Sequence, residues 1–220
     1  MPVTLAQLAV FLPAAFLLSL APGPDNLTVL SLGLSRGRSA SLGFAMGCAA
    51  GCLNHTLLAA LGVSALIAAS PTGFRMLQYA GAAYLCWLGW QALKSHGARL
   101  AARRSEDDPP AQAAARFGSY FRRGLIANAI NPKVGLIFLA LLPQFVEAGA
   151  APPGAQIAVL GIVFALVAAL VFGVVALTAG QLGAWLQRRA KVARWLDRAT
   201  SLLFIGLGIR LALGDLPASR

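Results

Sequence analysis

Negative charge is scarce in this chain: Asp and Glu number seven among 220 residues, and charged residues of both signs make up only 11%. Soluble domains carry about a quarter, so too few charged side chains are present to clothe a core in water. Histidine occurs twice, as His55 and His96, far apart in the sequence. There is no His-Glu-x-x-His pattern, no Gly-x-Ser-x-Gly elbow and no glycine-rich Walker loop ending in Lys-Ser/Thr. These absences speak against metalloprotease, serine-hydrolase and nucleotide-hydrolase chemistry. The chain is expected not to be an enzyme and to hold no cofactor, so any uphill work must draw on an ion gradient. Cysteine is rare as well. Cys48, Cys52 and Cys86 all lie in apolar stretches and do not make a metal ligand set. They read as small packing residues.

What is present is apolar: 58% of residues are hydrophobic, and the mean hydropathy is +0.73. The solvent for such a chain is the lipid bilayer. Crossing about 30 Å of hydrocarbon takes about 20 apolar residues, and candidate spans fall at 5–34, 40–69, 74–93, 117–146, 155–181 and 197–214. The predicted fold is an all-α integral membrane protein of six helices. No Lys or Arg precedes Arg36, so the first span lacks the basic n-region of a signal peptide and is expected to remain in place.

The net charge of +11 would suit nucleic acid if it formed a patch, but it comes in clusters between apolar runs. No nucleic-acid partner is expected. Arg36 and Arg38 follow the first span. Lys94, Arg99, Arg103, Arg104, Arg116, Arg122 and Arg123 follow the third, and Arg188, Arg189, Lys191, Arg194 and Arg198 follow the fifth. Only Arg75, Arg210 and Arg220 fall on the opposite side. By the positive-inside rule the odd-numbered loops are expected to be cytoplasmic and both termini to lie outside. Arg210 makes the sixth span the weakest, and snorkelling to the interface accounts for it.

The stretch 95–116 carries Glu106, Asp107, Asp108, Pro109 and Pro110 and no sustained apolar period, so it reads as a cytoplasmic linker. It divides a single transmembrane domain, 1–220, into three-helix halves at 1–94 and 117–220. Three is odd, so the halves enter the membrane in opposite senses, which is the parity of an inverted repeat.

The first span is interrupted by Ala21-Pro22-Gly23-Pro24-Asp25-Asn26, and the fourth by Asn128-Ala129-Ile130-Asn131-Pro132-Lys133. Proline removes a backbone donor and disfavours helix in the residue before it. Carbonyls freed at membrane depth must face protein or a water-filled cavity. Paired interruptions in the leading helix of each half point to a transporter substrate site, formed here by Pro22, Gly23, Pro24, Asp25, Asn26, Asn128, Asn131, Pro132 and Lys133. Kinks that only shape packing are the plainer reading, but each break also carries a charge. Asp25 and Lys133 are the charged residues placed well inside spans, where an uncompensated charge costs at least about 2.5–3.5 kcal/mol. They can pair with each other, or a small zwitterion can bridge them, its carboxylate near Lys133 and its ammonium near Asp25.

Asp25 is also a candidate for proton coupling, as is His55 in the middle of the second span, since imidazole titrates near neutral pH. A histidine simply satisfied within the core is an equal reading of His55. Gly43, Gly47 and Gly51 repeat at spacing four, suiting either a homodimer contact or packing within the chain. Against export stand a channel, for which no selectivity filter is visible, a transporter of another small solute or cation, and a membrane scaffold that needs neither Asp25 nor Lys133.

Taken in order, Pro22-Gly23-Pro24-Asp25, the glycine-rich second span, Gly81 through Tyr84, Leu85, Leu88 and Gly89, Asn128 to Lys133, and Leu142-Pro143-Gln144-Phe145 resemble the lysine exporter (LysE/RhtB) family of bacterial amino-acid exporters. The resemblance runs across nearly the whole chain. It implies an inner-membrane secondary exporter of amino acids or close derivatives, working by proton exchange, and directs attention to Pro22, Gly23, Pro24, Asp25, Asn131, Pro132 and Lys133. The family's substrates vary. With Asp25 as the one intramembrane acid, neutral amino acids such as homoserine, threonine or leucine are favoured over cationic ones.

Overall fold

The computed structural model describes residues 2–21, 23–94, 110–147, 151–188 and 190–213. Those residues form eight α-helices and one short 3-10 turn, without strands. The first predicted span is two helices, α1 (Leu5–Leu20) and α2 (Pro24–Ser35), and the fourth is likewise α5 (Pro110–Ala129) and α6 (Pro132–Leu141). The axes bend by 54° and 57° at the two breaks. The unbroken elements are α3 (Arg38–Ala69), α4 (Pro71–Lys94), α7 (Pro153–Arg188) and α8 (Ala190–Leu213).

Local chemistry sets these boundaries. Thr4 and Gln7 form a reciprocal capping box at the start of α1, the Thr4 Oγ1 accepting from the Gln7 N–H and the Gln7 Oε1 accepting from the Thr4 N–H. Both α2 and α6 open with proline in the first turn, where the missing N–H has no intrahelical partner to lose. Gly37, at φ 84°, supplies the left-handed residue that turns the chain from α2 into α3. Pro110 is the first residue of α5. The helix therefore starts inside the predicted linker 95–116, whose residues 95–109 lie outside the described residues.

α3 and α7 are each long and apolar enough to cross a membrane alone, and the pairs α1/α2 and α5/α6 are so when each is counted as one bent span. α4 and α8 are 24 residues each, or about 36 Å of helix, and they lie against each other. Gln78 Nε2 donates to the Leu211 carbonyl at 2.6 Å, and Ser201 Oγ donates to the Gly89 carbonyl at 2.6 Å. Such interhelical bonds and small-residue contacts hold helices together where lipid supplies no hydrophobic drive. Outward faces carry large apolar side chains, among them Leu57, Leu61, Trp87, Trp90, Leu166 and Leu170. The chain is an all-α membrane protein of about six spans.

The glycine repeat of the second span is used within the chain. A Cβ at Gly43 would strike the Phe117 carbonyl, and one at Gly47 the Phe121 carbonyl. One at Gly51 would stand 2.8 Å from the Asn128 side chain. From the other side, Gly124 of α5 abuts the Phe44 carbonyl of α3. α3 and α5 thus approach backbone to backbone, and this contact fixes the second break against the middle of α3.

Candidate functional site

The two breaks meet. Asp25, in the first turn of α2, accepts a hydrogen bond from Asn128 Nδ2 at 2.8 Å and another from Asn131 Nδ2 at 3.2 Å. A carboxylate in that position is also favoured by the α2 dipole. Asn131 caps α6, its Oδ1 accepting from the Lys133 N–H at 3.0 Å. Lys133 leaves the first turn of α6 with its Nζ 5.0 Å from the Phe204 ring centroid, within cation–π range.

Two carbonyls at the first break are taken up by a single amide. Asn26 Nδ2 donates to the Ser19 carbonyl at 2.8 Å and to the Ala21 carbonyl at 2.7 Å. Buried polar atoms in hydrocarbon need such partners. Three buried side-chain oxygens here have none: Ser19 Oγ, Asn26 Oδ1 and Asn128 Oδ1. All three residues line one cavity.

That cavity has about 50 Å³ of internal room and is lined on its polar side by Ser19, Gly23, Pro24, Asp25, Asn26, Cys52, Asn128, Asn131 and Lys133. Its apolar side is Leu18, Val134, Ile137, Phe138, Phe164 and Phe172. The volume is room for a few waters. Two helix N-termini, those of α2 and α6, open beside it, and such termini attract anionic groups.

Of the residues singled out from sequence, Gly23, Pro24, Asp25, Asn26, Asn128, Asn131 and Lys133 converge on this cavity. Pro132 opens α6 beside them, and Pro22 lies outside the described residues. His55 stands behind the wall, its Nε2 2.8 Å from the Asn128 carbonyl oxygen. Gly51 backs Asn128, while Gly43 and Gly47 belong to the α3–α5 contact. Sequence reasoning missed Ser19, Cys52 and the phenylalanine wall. Aromatic and small residues within apolar helices carry no distinguishing period, and only the fold sorts cavity from lipid.

The family model described as LysE type translocator matches residues 16–215. The chain belongs to that family. Among curated proteins it is similar to an uncharacterized membrane protein of Pseudomonas aeruginosa, 36% identical over 90% of each chain. It is 31% identical to the homoserine/homoserine lactone efflux protein of Salmonella typhimurium, covering 92% of this chain and 94% of the relative. It is 29% identical to the leucine efflux protein of Klebsiella pneumoniae, covering 92% of both. No solved structure matches it.

Proposed function

We propose that this LysE family translocator exports neutral amino acids or close derivatives across a bacterial inner membrane by proton antiport. The observation that carries the reading is Asp25, half-buried between two broken helices and held by Asn128 and Asn131 in the cavity that Lys133 also lines. A zwitterion suits these groups: its carboxylate meets Lys133 and the helix N-termini of α2 and α6, and its ammonium meets Asp25 and the unpartnered oxygens of Ser19, Asn26 and Asn128. An aliphatic side chain then lies on Ile137, Phe138, Phe164 and Phe172, a wall with no acid to receive a cationic one. Relatives named for leucine and for homoserine efflux support that substrate class.

The mechanism is alternating access. The halves 1–94 and 117–220, oppositely oriented as an inverted repeat, rock about the paired breaks and expose the cavity first to the cytoplasm and then outside. Asp25 takes a proton from outside as substrate leaves and releases it inside before the next substrate binds, so the pH gradient drives export. Both termini face outward, and the basic loops after the first, third and fifth spans face the cytoplasm.

The test is efflux from proteoliposomes loaded with the twenty amino acids plus homoserine, with and without an imposed pH gradient. Selective loss of neutral amino acids that steepens with the gradient is expected. Retention of every compound by folded, inserted protein would overturn the reading.

A further inference from the structure

Pro132 has no backbone N–H, so the Asn128 carbonyl four residues earlier lacks the donor that a continuous helix would give it. Two other groups serve this oxygen. The Asn131 N–H donates at 2.9 Å, and His55 Nε2, arriving from α3, lies 2.8 Å away. A carbonyl only accepts, so the proton of this contact sits on Nε2.

The ring is built into its place. His55 is buried, packs on Phe138 at 5.9 Å between ring centroids, and lies against α6 where Gly135 has no side chain. A Cβ at Gly135 would stand 3.3 Å from both Cε1 and Nδ1 of the imidazole. One turn before His55, Gly51 makes room for the Asn128 side chain, so α3 meets Asn128 twice, by a hydrogen bond to its backbone carbonyl and by the space left for its side chain. The amide is left aimed at Asp25. The two breaks meet directly at Asp25, and the second is steadied from behind by a residue that neither break contains.

We infer that His55 is a positioning residue: by donating from Nε2 to the Asn128 carbonyl it fixes the second break so that Asn128 and Asn131 can hold Asp25. It acts through Asn128 and carries no transported proton. The transport arm of the test rests on the exporter reading above; the spectroscopic arm does not.

His55→Gln keeps an N–H donor at nearly the reach of Nε2 but has no titrating group, and His55→Leu keeps bulk without a donor. Efflux of the same amino-acid mixture is measured for both in proteoliposomes across external pH. His55→Gln is expected to retain efflux within about twofold and an unchanged pH profile. His55→Leu is expected to lose roughly tenfold or more, the scale of one unmade buried hydrogen bond. Independently, 15N NMR of histidine-labelled protein in nanodiscs, with His96→Gln leaving one imidazole, should show the Nε2–H tautomer with its proton hydrogen-bonded. A pH profile altered in His55→Gln, equal loss in His55→Gln and His55→Leu, full activity of His55→Leu, or an Nδ1–H tautomer would each overturn the inference. If His55→Leu does not fold, His55→Gln and the tautomer decide. If the wild type releases no amino acid, the exporter reading fails while the tautomer still tests the contact.

Discussion

The Lys133 ammonium passes over Gly23, its Nζ 2.7 Å from the point where a Cβ on that residue would stand. Gly23 has extended backbone, φ −166° and ψ 175°, which any residue adopts. The glycine is needed for space. An added methyl group meets the flexible end of a lysine rather than backbone, so the fold yields easily and the amine moves. Gly23→Ala is accordingly expected to keep its melting temperature within about 2 °C, the shift of a few tenths of a kcal/mol in a chain this size. Efflux should drop roughly tenfold, about the value of one charge-assisted contact. Wild-type efflux from Gly23→Ala would show that the position of the Lys133 amine does not matter.

Asp25 accepts from two amides, and that limits what can replace it. Asparagine at position 25 offers one acceptor oxygen and a competing NH2, leaving Asn128 or Asn131 facing a donor. Asp25→Asn is expected to insert and fold, at a cost of about 1–3 kcal/mol for the unmet group, and to lose gradient-driven efflux by more than tenfold. Lys133→Met should weaken substrate binding, read as a higher half-saturating concentration in counterflow. If Lys133→Met instead unfolded the protein and the double variant with Asp25→Asn restored it, the two charges would form a structural ion pair with no part in binding.

Much of this arrangement was legible in the chain, for identifiable reasons. Pro13 sits within α1 without ending it, but two prolines around a glycine, and a proline after Asn131, marked the breaks at Gly23-Pro24 and Asn131-Pro132 as positions where backbone groups come free. Charge at membrane depth is equally plain, which singled out Asp25 and Lys133. The stripe Gly43, Gly47, Gly51 announced a close helix contact but not its partner, because α5 and a second copy of the chain are equivalent to a helix face read alone. The start of α5 at Pro110 was hidden because residues 110–116 are alanine-rich and follow Asp107, Asp108 and Pro109, and so short and weakly apolar a stretch does not register when spans are sought by apolar length. The role of His55 was out of reach, since its acceptor is a backbone carbonyl 73 residues away, and no side-chain pattern records a carbonyl.

The α3–α5 contact makes a prediction about stability alone. A methyl group at Gly47 would meet the Phe121 carbonyl and the Leu125 N–H, 2.8 Å away, both backbone atoms of α5 that cannot step aside without moving the helix. Gly47→Ala should destabilise by about 1–3 kcal/mol, as overpacking does, and lower the unfolding midpoint in detergent. Gly62, on the same helix, has nothing within 4 Å of its Cβ position. Gly62→Ala should be neutral or gain up to about 1 kcal/mol from helix propensity. Equal effects at the two positions would mean that α3 and α5 do not pack as described.

At the far end of α1 from the break, Gln156 is fully buried with every hydrogen-bonding atom engaged. Its Nε2 donates to the Glu147 and Ala151 carbonyls at 2.8 Å each, and its Oε1 accepts from the Glu147 N–H at 3.0 Å and from Gln7 Nε2 at 2.8 Å. Gln7 Nε2 also donates to the Phe145 carbonyl at 2.8 Å, and the Phe11 ring meets Phe145 edge-on at 5.1 Å. One side chain thus ties α1, the turn after α6 and the start of α7. Gln156→Leu matches the volume but leaves two carbonyls, an N–H and the Gln7 amide unmet in an apolar setting. Each such group costs about 1–3 kcal/mol, so a loss of about 3 kcal/mol or more is expected, read as a large fall in thermal midpoint in nanodiscs. Gln7→Leu strands only the Phe145 carbonyl, since Gln156 Oε1 keeps the Glu147 N–H, and removes the capping contact to Thr4. It should cost less than Gln156→Leu. The double variant should fall short of the sum, because the two residues share a bond. Additive losses would mean that Gln7 and Gln156 do not touch in the folded protein.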